Sequence, residues 1–176
     1  MKKIKKVLSL LLYYSFASHL PNYSFPGGFI YNKIRVFLLR GIFPVGKNCR
    51  VMRKVYIGSG KNISIGANCR INENVRLCNV KIGNHVMIAR DTVFLGITHN
   101  SERIDIPMEK QGNKSLLQGV VQDDVWIGLR CIIMPSLNIA KGTILGAGGV
   151  LTKSTEVNSI YAGVPAKKIK ERGEQQ

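Results

Sequence analysis

"VQDDVWIGLRCIIMPSLNIAKGTILGAGGVLTKS", residues 121–154, places an aliphatic side chain at every sixth position: Val121, Ile127, Ile133, Ile139, Leu145 and Leu151. A period of six is neither the 3.6 of a helix nor the alternation of a half-buried strand. It suits short strands joined by tight corners, three to a coil, each aliphatic pointing inward and stacking on its equivalent one coil above. Upstream the same beat runs through Ile65, Ile71 and Leu77, slips by one residue, and resumes at Ile82, Ile88 and Phe94. Gly or Ala often follows the aliphatic, as at Gly66, Gly83, Ala89, Gly128, Ala140 and Gly146. That predicts a corner where a small side chain is needed. A second, generally small or β-branched residue stands four positions after each aliphatic, among them Cys69, Val75, Thr92, Cys131 and Thr143. The predicted architecture is all-β, a triangular prism of stacked coils.

The beat stops after Phe94 and restarts at Val121, leaving a loop over residues 96–120 outside the prism. A long loop leaving a rigid solenoid is a common way to build a site. His99 stands at its root, in "LGITHN", residues 95–100. Two other histidines serve as controls: His85 follows "IGN" at an outward repeat position, and His19 lies before the repeat. Both read as solvated.

The chain of 176 residues is long enough for one well-filled core and short for two domains. Its 26 Lys and Arg against 10 Asp and Glu give a net charge of +16. The excess is uneven: residues 1–54 carry eleven Lys and Arg and no acid. Such a balance points to nucleic acid, an anionic membrane or a phosphate-bearing small molecule. No helix-turn-helix, zinc-finger spacing or aromatic ribonucleoprotein box is present, which argues against nucleic acid. "MKKIKKVLSLLLYYSFASHL" opens with lysines and an apolar run too short to span a bilayer. Ile4, Val7, Leu8, Leu11 and Leu12 fall at helical spacing with lysines beside them. The run also fits a signal-peptide core, but the segment reads as a retained amphipathic helix because no convincing small-x-small cleavage site follows it. Membrane contact and packing on its own protein both fit that helix. Cys49, Cys69, Cys78 and Cys131 form no CxxC pair, so a zinc site is not expected; small buried residues in a reducing cytoplasm are.

The motifs "VWIG", "IIMP" and "GAGGVLTK…AGVPAKKIK" carry a resemblance. Over residues 55–172 the chain resembles the hexapeptide-repeat acyltransferases, and most of all their galactoside, maltose and polysaccharide O-acetyltransferase branch. The resemblance implies a left-handed parallel β-helix over residues 55–164, with a basic, partly helical segment 1–54 before it and a basic tail 165–176 after it. It also implies a homotrimer whose sites lie between subunits. Ser136 and Ala140 stand where the branch usually has Gly, and Asn100 where it often has Pro.

By the same resemblance His99 matches the catalytic histidine and Asn72 an asparagine placed near it. Acetyl transfer from a thioester to an alcohol requires a base for the hydroxyl proton, and a neutral imidazole supplies one. The tetrahedral intermediate needs a positioned donor, and the Asn72 amide can donate or accept. The donor implied is acetyl-CoA. Gly128 and Leu129, with the side-chain-poor Gly146 and Ala147, would let its arm approach. Thr152, Lys153, Lys167 and Lys170 match positions that hold its distal parts. Trp126, the only tryptophan, takes an outward repeat position and reads as a wall of the acceptor or cofactor site or as a subunit contact. No metal is expected.

The leading expectation is an acetyl-CoA-dependent O-acetyltransferase acting on a sugar hydroxyl in lipopolysaccharide, capsule or another glycan pathway. It would be cytoplasmic, with peripheral membrane contact through the N-terminus. The alternatives are N-acetylation of a nucleotide-linked amino sugar, acetylation of an antibiotic, or a β-helical binding module without activity.

Overall fold

A computed structural model describes residues 2–174. The body is three parallel sheets, each forming one side of a prism. The first contains β1 (Arg50–Val51), β3 (Arg70–Ile71), β5 (Met87–Ile88), β8 (Trp126–Ile127), β11 (Ile144–Leu145) and β13 (Ser159–Gly163). β14 (Ala166–Glu171) closes it by pairing antiparallel to β13. The second contains β2 (Ile63–Ile65), β4 (Val80–Ile82), β7 (Gly119–Val121) and β10 (Asn138–Ile139). The third contains β6 (Val93–Phe94), β9 (Ile132–Ile133) and β12 (Val150–Leu151). Each coil visits the second sheet, then the first, then the third.

The register reproduces the beat read from the sequence. Leu145 pairs with Ile127, eighteen positions earlier, and Leu151 pairs with Ile133 at the same spacing. Val51, Ile71, Ile88, Ile127 and Leu145 stack as one buried ladder, while Ile65, Ile82, Val121 and Ile139 form another. Each such side chain contributes about 1.5–3 kcal/mol on burial. Cys69 and Cys131, four positions after their aliphatics, are buried thiols facing Gly83 O at 3.1 Å and Gly146 O at 3.2 Å.

The corners differ from the expectation in their chemistry. The small residue after each aliphatic does not take a left-handed backbone; it lets one coil approach the next. A Cβ on Gly66 would stand 2.4 Å from Gly83 O. The left-handed residue comes three positions after the aliphatic: Asn68, Asn74, His85, Asp91, Asp124, Arg130 and Ser136 all have positive φ. Asn and Asp tolerate that conformation better than other side chains. His85 is thereby accounted for as a corner residue, its Nε2 3.3 Å from Asn68 Nδ2.

The parallel pairing also begins earlier than residue 55. Val45 bridges to Ile65, and β1 pairs with β3. Val45, Val51 and Ile57 keep the six-residue beat, but two extra residues before Ile65 break its phase. At the other end residues 166–171 form a strand rather than a tail.

Two helices cover the N-terminal end of the prism: α1 (Lys2–Ser15) and α2 (Gly28–Arg40). Asn32 of α2 donates to Cys49 O at 3.0 Å and accepts from Val51 N at 2.8 Å, occupying the free edge of β1. Covering such an edge removes a template for aberrant pairing. Arg35 is fully buried and has only carbonyl partners: Ala17 O at 3.1 Å, Val51 O at 3.0 Å, Leu20 O at 2.6 Å, and Pro21 O. Burial pulls its guanidinium below its ordinary range.

Candidate active site

Most of the predicted site residues fall on two of the three corners, while Trp126, Lys167 and Lys170 lie on strands of the first sheet. Asn72, Ala89, Gly128 and Gly146 stack at the corner between the first and third sheets. Their backbone N–H groups donate to Ile88 O, Ile127 O, Leu145 O and Tyr161 O of the next coil at 2.8–3.0 Å. Leu129 and Ala147 follow in the same corner. A Cβ on Gly128 would meet Ala147 N at 2.6 Å and Leu145 O at 2.7 Å, so the coils touch here backbone to backbone. The antiparallel pair of β13 and β14 extends this end of the first sheet: Ala162 is opposite Lys167, and Ile160 is opposite Lys170. Lys168, between them, pairs with Glu156 at 2.6 Å and with Glu171, which raises its ammonium above the ordinary lysine range. Among the described residues Lys153 and Lys167 take part in no ion pair, which leaves their charge for an anionic ligand.

The second corner lies between the third and second sheets. Thr152 and Lys153 are exposed there after β12, and the chain departs from it after β6 into residues 95–118. His99 is exposed on this segment but held by its backbone. His99 bridges antiparallel to Asn113, flanked by Asn100 N→Gly112 O at 3.0 Å and Lys114 N→Thr98 O at 2.9 Å. Asn100 ties the two limbs together: its amide donates to Gln111 O at 3.0 Å. Gln111 in turn donates to Arg103 O at 2.7 Å and accepts from Arg103 N at 3.1 Å. Lys114 pairs with Glu102 at 3.0 Å, and that bond holds the Glu102 carboxyl below its usual range.

Beneath these limbs runs a groove of about 450 Å³, lined by Tyr56, Lys61, Asn62, Ile97, Asn113 and Lys114 among others. Arg76, on the strip that continues the third sheet, lays its guanidinium over the Tyr56 ring at 4.5 Å. Cys78 also lines the groove, and burial pushes its thiol up. Tyr56, Lys61, Arg76 and Lys114 were not singled out from the sequence. The signal for Arg76 was its outward position on the strip that runs beside the loop root. Nothing local marks Tyr56 or Lys61, which precede the regular beat.

The two corners flank one side of the prism. The third sheet lies between the Asn72–Gly128–Gly146 column and the root of the His99 segment, so a ligand along that sheet would border both. Trp126 is on the adjacent first sheet, 50% exposed, in register with Met87 and Ile144.

No family model matches the chain. The galactoside O-acetyltransferase of Escherichia coli strain K12 is 33% identical over 141 residues, covering 78% of this chain and 68% of that protein. The chain belongs to the galactoside O-acetyltransferase branch of the hexapeptide-repeat acyltransferases. The corresponding protein of Lactococcus lactis is 29% identical over 133 residues, covering 73% of this chain and 63% of its own length. The curated relatives are thus longer, this acyltransferase spanning about two thirds of them. Among solved structures, a hexapeptide-repeat acetyltransferase of Vibrio cholerae in complex with acetyl coenzyme A superposes with a TM-score of 0.80 at 22% identity. That match covers 98% of the present acyltransferase and 89% of the Vibrio chain, and it shows the shared fold.

Proposed function

We propose that this acyltransferase moves an acetyl group from acetyl-CoA to a sugar hydroxyl of a glycan precursor such as lipopolysaccharide or capsule. The observation that carries the reading is the pair of corners bounding the third sheet, one poor in side chains and one bearing the His99 segment. Acetyl-CoA would lie against the first corner, where Ala147 is exposed, Leu129 and Gly146 are half-buried, and the buried Gly128 lets the coils pack into a flat edge for its arm. Lysines attract phosphate as point charges, and Lys153, Lys167 and Lys170 would meet the distal phosphates.

In the reaction the acceptor hydroxyl oxygen attacks the thioester carbonyl while the His99 imidazole takes its proton. Asn72 orients the hydroxyl or donates to the oxyanion. Collapse of the tetrahedral intermediate breaks the carbon–sulfur bond, and the imidazolium returns the proton to the departing thiolate. Holding donor and acceptor together supplies much of the acceleration. The groove beneath the loop would take the acceptor, with Lys61 giving it affinity for anionic groups. Trp126 would form a wall of the same crevice once copies assemble.

The prism is proposed to wind left-handed, with residues 96–118 as its active-site loop and a homotrimer closing each crevice; Gly119 and Val120, which the six-residue beat leaves in the loop, pair in β7 instead. The enzyme would work in the cytoplasm at the inner membrane surface. The test is coenzyme A release from acetyl-CoA across a panel of sugar hydroxyls, amino sugars and antibiotics, with His99→Ala as control. Release with hydroxyl sugars that His99→Ala abolishes is expected. Exclusive use of amines supports the nucleotide-amino-sugar alternative. No turnover and no acetyl-CoA binding by the native protein would leave only a binding module.

A further inference from the structure

We infer that the two N-terminal helices form a docking surface for an anionic membrane leaflet, on which the protein lies without crossing it. The sequence leaves two uses for the apolar stripe of α1, and the structure puts it on the outside. α1 packs inward through the opposite face: Ser9 and Tyr13 are buried, and the Tyr13 hydroxyl donates to Val55 O at 2.8 Å. Ile4, Val7, Leu8, Leu11 and Leu12 all remain exposed, Leu11 at 63%. α2 adds Phe37, 71% exposed, across a hollow of about 440 Å³ walled by Leu12, Phe16, Ile34, Phe37 and Leu38. Lys33 stands on the wall of that hollow. A contiguous apolar patch of this kind on two neighbouring helices marks an interaction surface.

Charge selects the occupant. Lys3, Lys5 and Lys33 are exposed on the same two helices, and the first acidic residue in the chain is Glu73. A second copy of the face would set lysine against lysine, which opposes self-association. Anionic headgroups complement it, and apolar side chains flanked by lysines on one helix are the usual signature of binding in the interface plane. At 14 residues α1 is about 21 Å long. Among the described residues no helix is long and apolar enough to cross a membrane.

The position of the surface relates it to the groove. Tyr14 of α1 accepts from Ile57 N at 3.1 Å and donates to Gly58 O at 3.0 Å, and both residues line the groove. The groove thus adjoins the inward side of α1, one helix away from the docking face. The inference rests on the membrane location proposed above. Its readout involves no acetyl transfer, so its failure leaves the transfer reading untouched.

The test is sedimentation of the full chain with vesicles of phosphatidylcholine alone and of phosphatidylcholine with phosphatidylglycerol. The expected result is binding to the anionic vesicles, weakened by salt. In the triple variant Leu8→Ser, Leu11→Ser, Phe37→Ser, partition should fall about tenfold or more, with an unchanged melting temperature because the three side chains are exposed. Equal partition of variant and native protein, or no binding to anionic vesicles, overturns the inference. A drop in solution mass of the variant by light scattering overturns it too, by assigning the face to a second copy.

Discussion

Replacing Gly128 by Ala tests why the corner glycines are there. Gly128 does not have positive φ, so the backbone conformation alone would accept alanine. The obstacle is the next coil: the added methyl would lie 2.6 Å from Ala147 N, 2.7 Å from Leu145 O and 2.9 Å from Ala147 Cα. Restoring ordinary contact at 3.4 Å needs the two coils to part by about 0.8 Å. No side chain can rotate away, because every atom met is backbone. Overpacking of this kind costs about 1–3 kcal/mol. Stretching the 2.8 Å bond from Gly128 N to Leu145 O adds about 0.5–1.5 kcal/mol. The sum of about 1.5–4.5 kcal/mol corresponds to a melting temperature lower by about 3–18 °C, read by circular dichroism. Gly148 is the control: its φ is +71° and nothing lies within 4 Å of an added Cβ. Gly148→Ala should cost about 1–2 kcal/mol from the left-handed backbone, and Gly148→Asn less, since Asn occupies the equivalent positions 68 and 74. Gly128→Asn should fare no better than Gly128→Ala. If Gly128→Ala melts with the native protein, or asparagine rescues position 128 as it does 148, the coil-contact explanation is wrong.

Three further outcomes follow from the same coordinates. His99→Ala should lower coenzyme A release about 10²–10⁴-fold while leaving the melting curve unchanged, because the side chain is exposed on a segment outside the sheets. Arg35→Met removes the donors to the buried carbonyls of Ala17 and Val51 and the half-buried ones of Leu20 and Pro21, and should cost about 3–5 kcal/mol, visible as a lowered urea midpoint. Thr155→Val breaks the bonds of its hydroxyl to Ala140 N and Thr143 Oγ1, both 2.8 Å, and should cost about 1–3 kcal/mol by the same measurement.

The coil was legible because its core is periodic. A side chain that stacks on its own equivalent leaves the same residue type at the same interval, and Ile127, Ile133 and Ile139 announce themselves. The turn chemistry was harder to read. Small residues serve both close approach and left-handed backbone, and only coordinates assign Gly66 to the first and Asn68 to the second. The groove was largely illegible. Tyr56 and Lys61 come from a coil whose spacing is two residues out of phase, and Lys114 comes from the irregular segment. His99 and Asn72 were found through family motifs. The relation between their corners, on either side of one sheet, required the order in which the coil visits its three faces. The α1 stripe was readable as amphipathic, but which side faced solvent depended on Tyr13 and Tyr14 reaching the backbone at residues 55–58.

The segment between β6 and β7 departs and returns without disturbing the sheets. Val93 pairs with Ile132 thirty-nine positions later, whereas Ile144 follows its partner Trp126 by eighteen positions and Met87 follows Arg70 by seventeen. The excursion is therefore invisible to the stacking around it, and lengthening it costs only the slowly growing entropy of closing a larger ring. Such a splice point lets a lineage, or an engineer, exchange one acceptor-facing segment for another while the donor-facing edge keeps its shape.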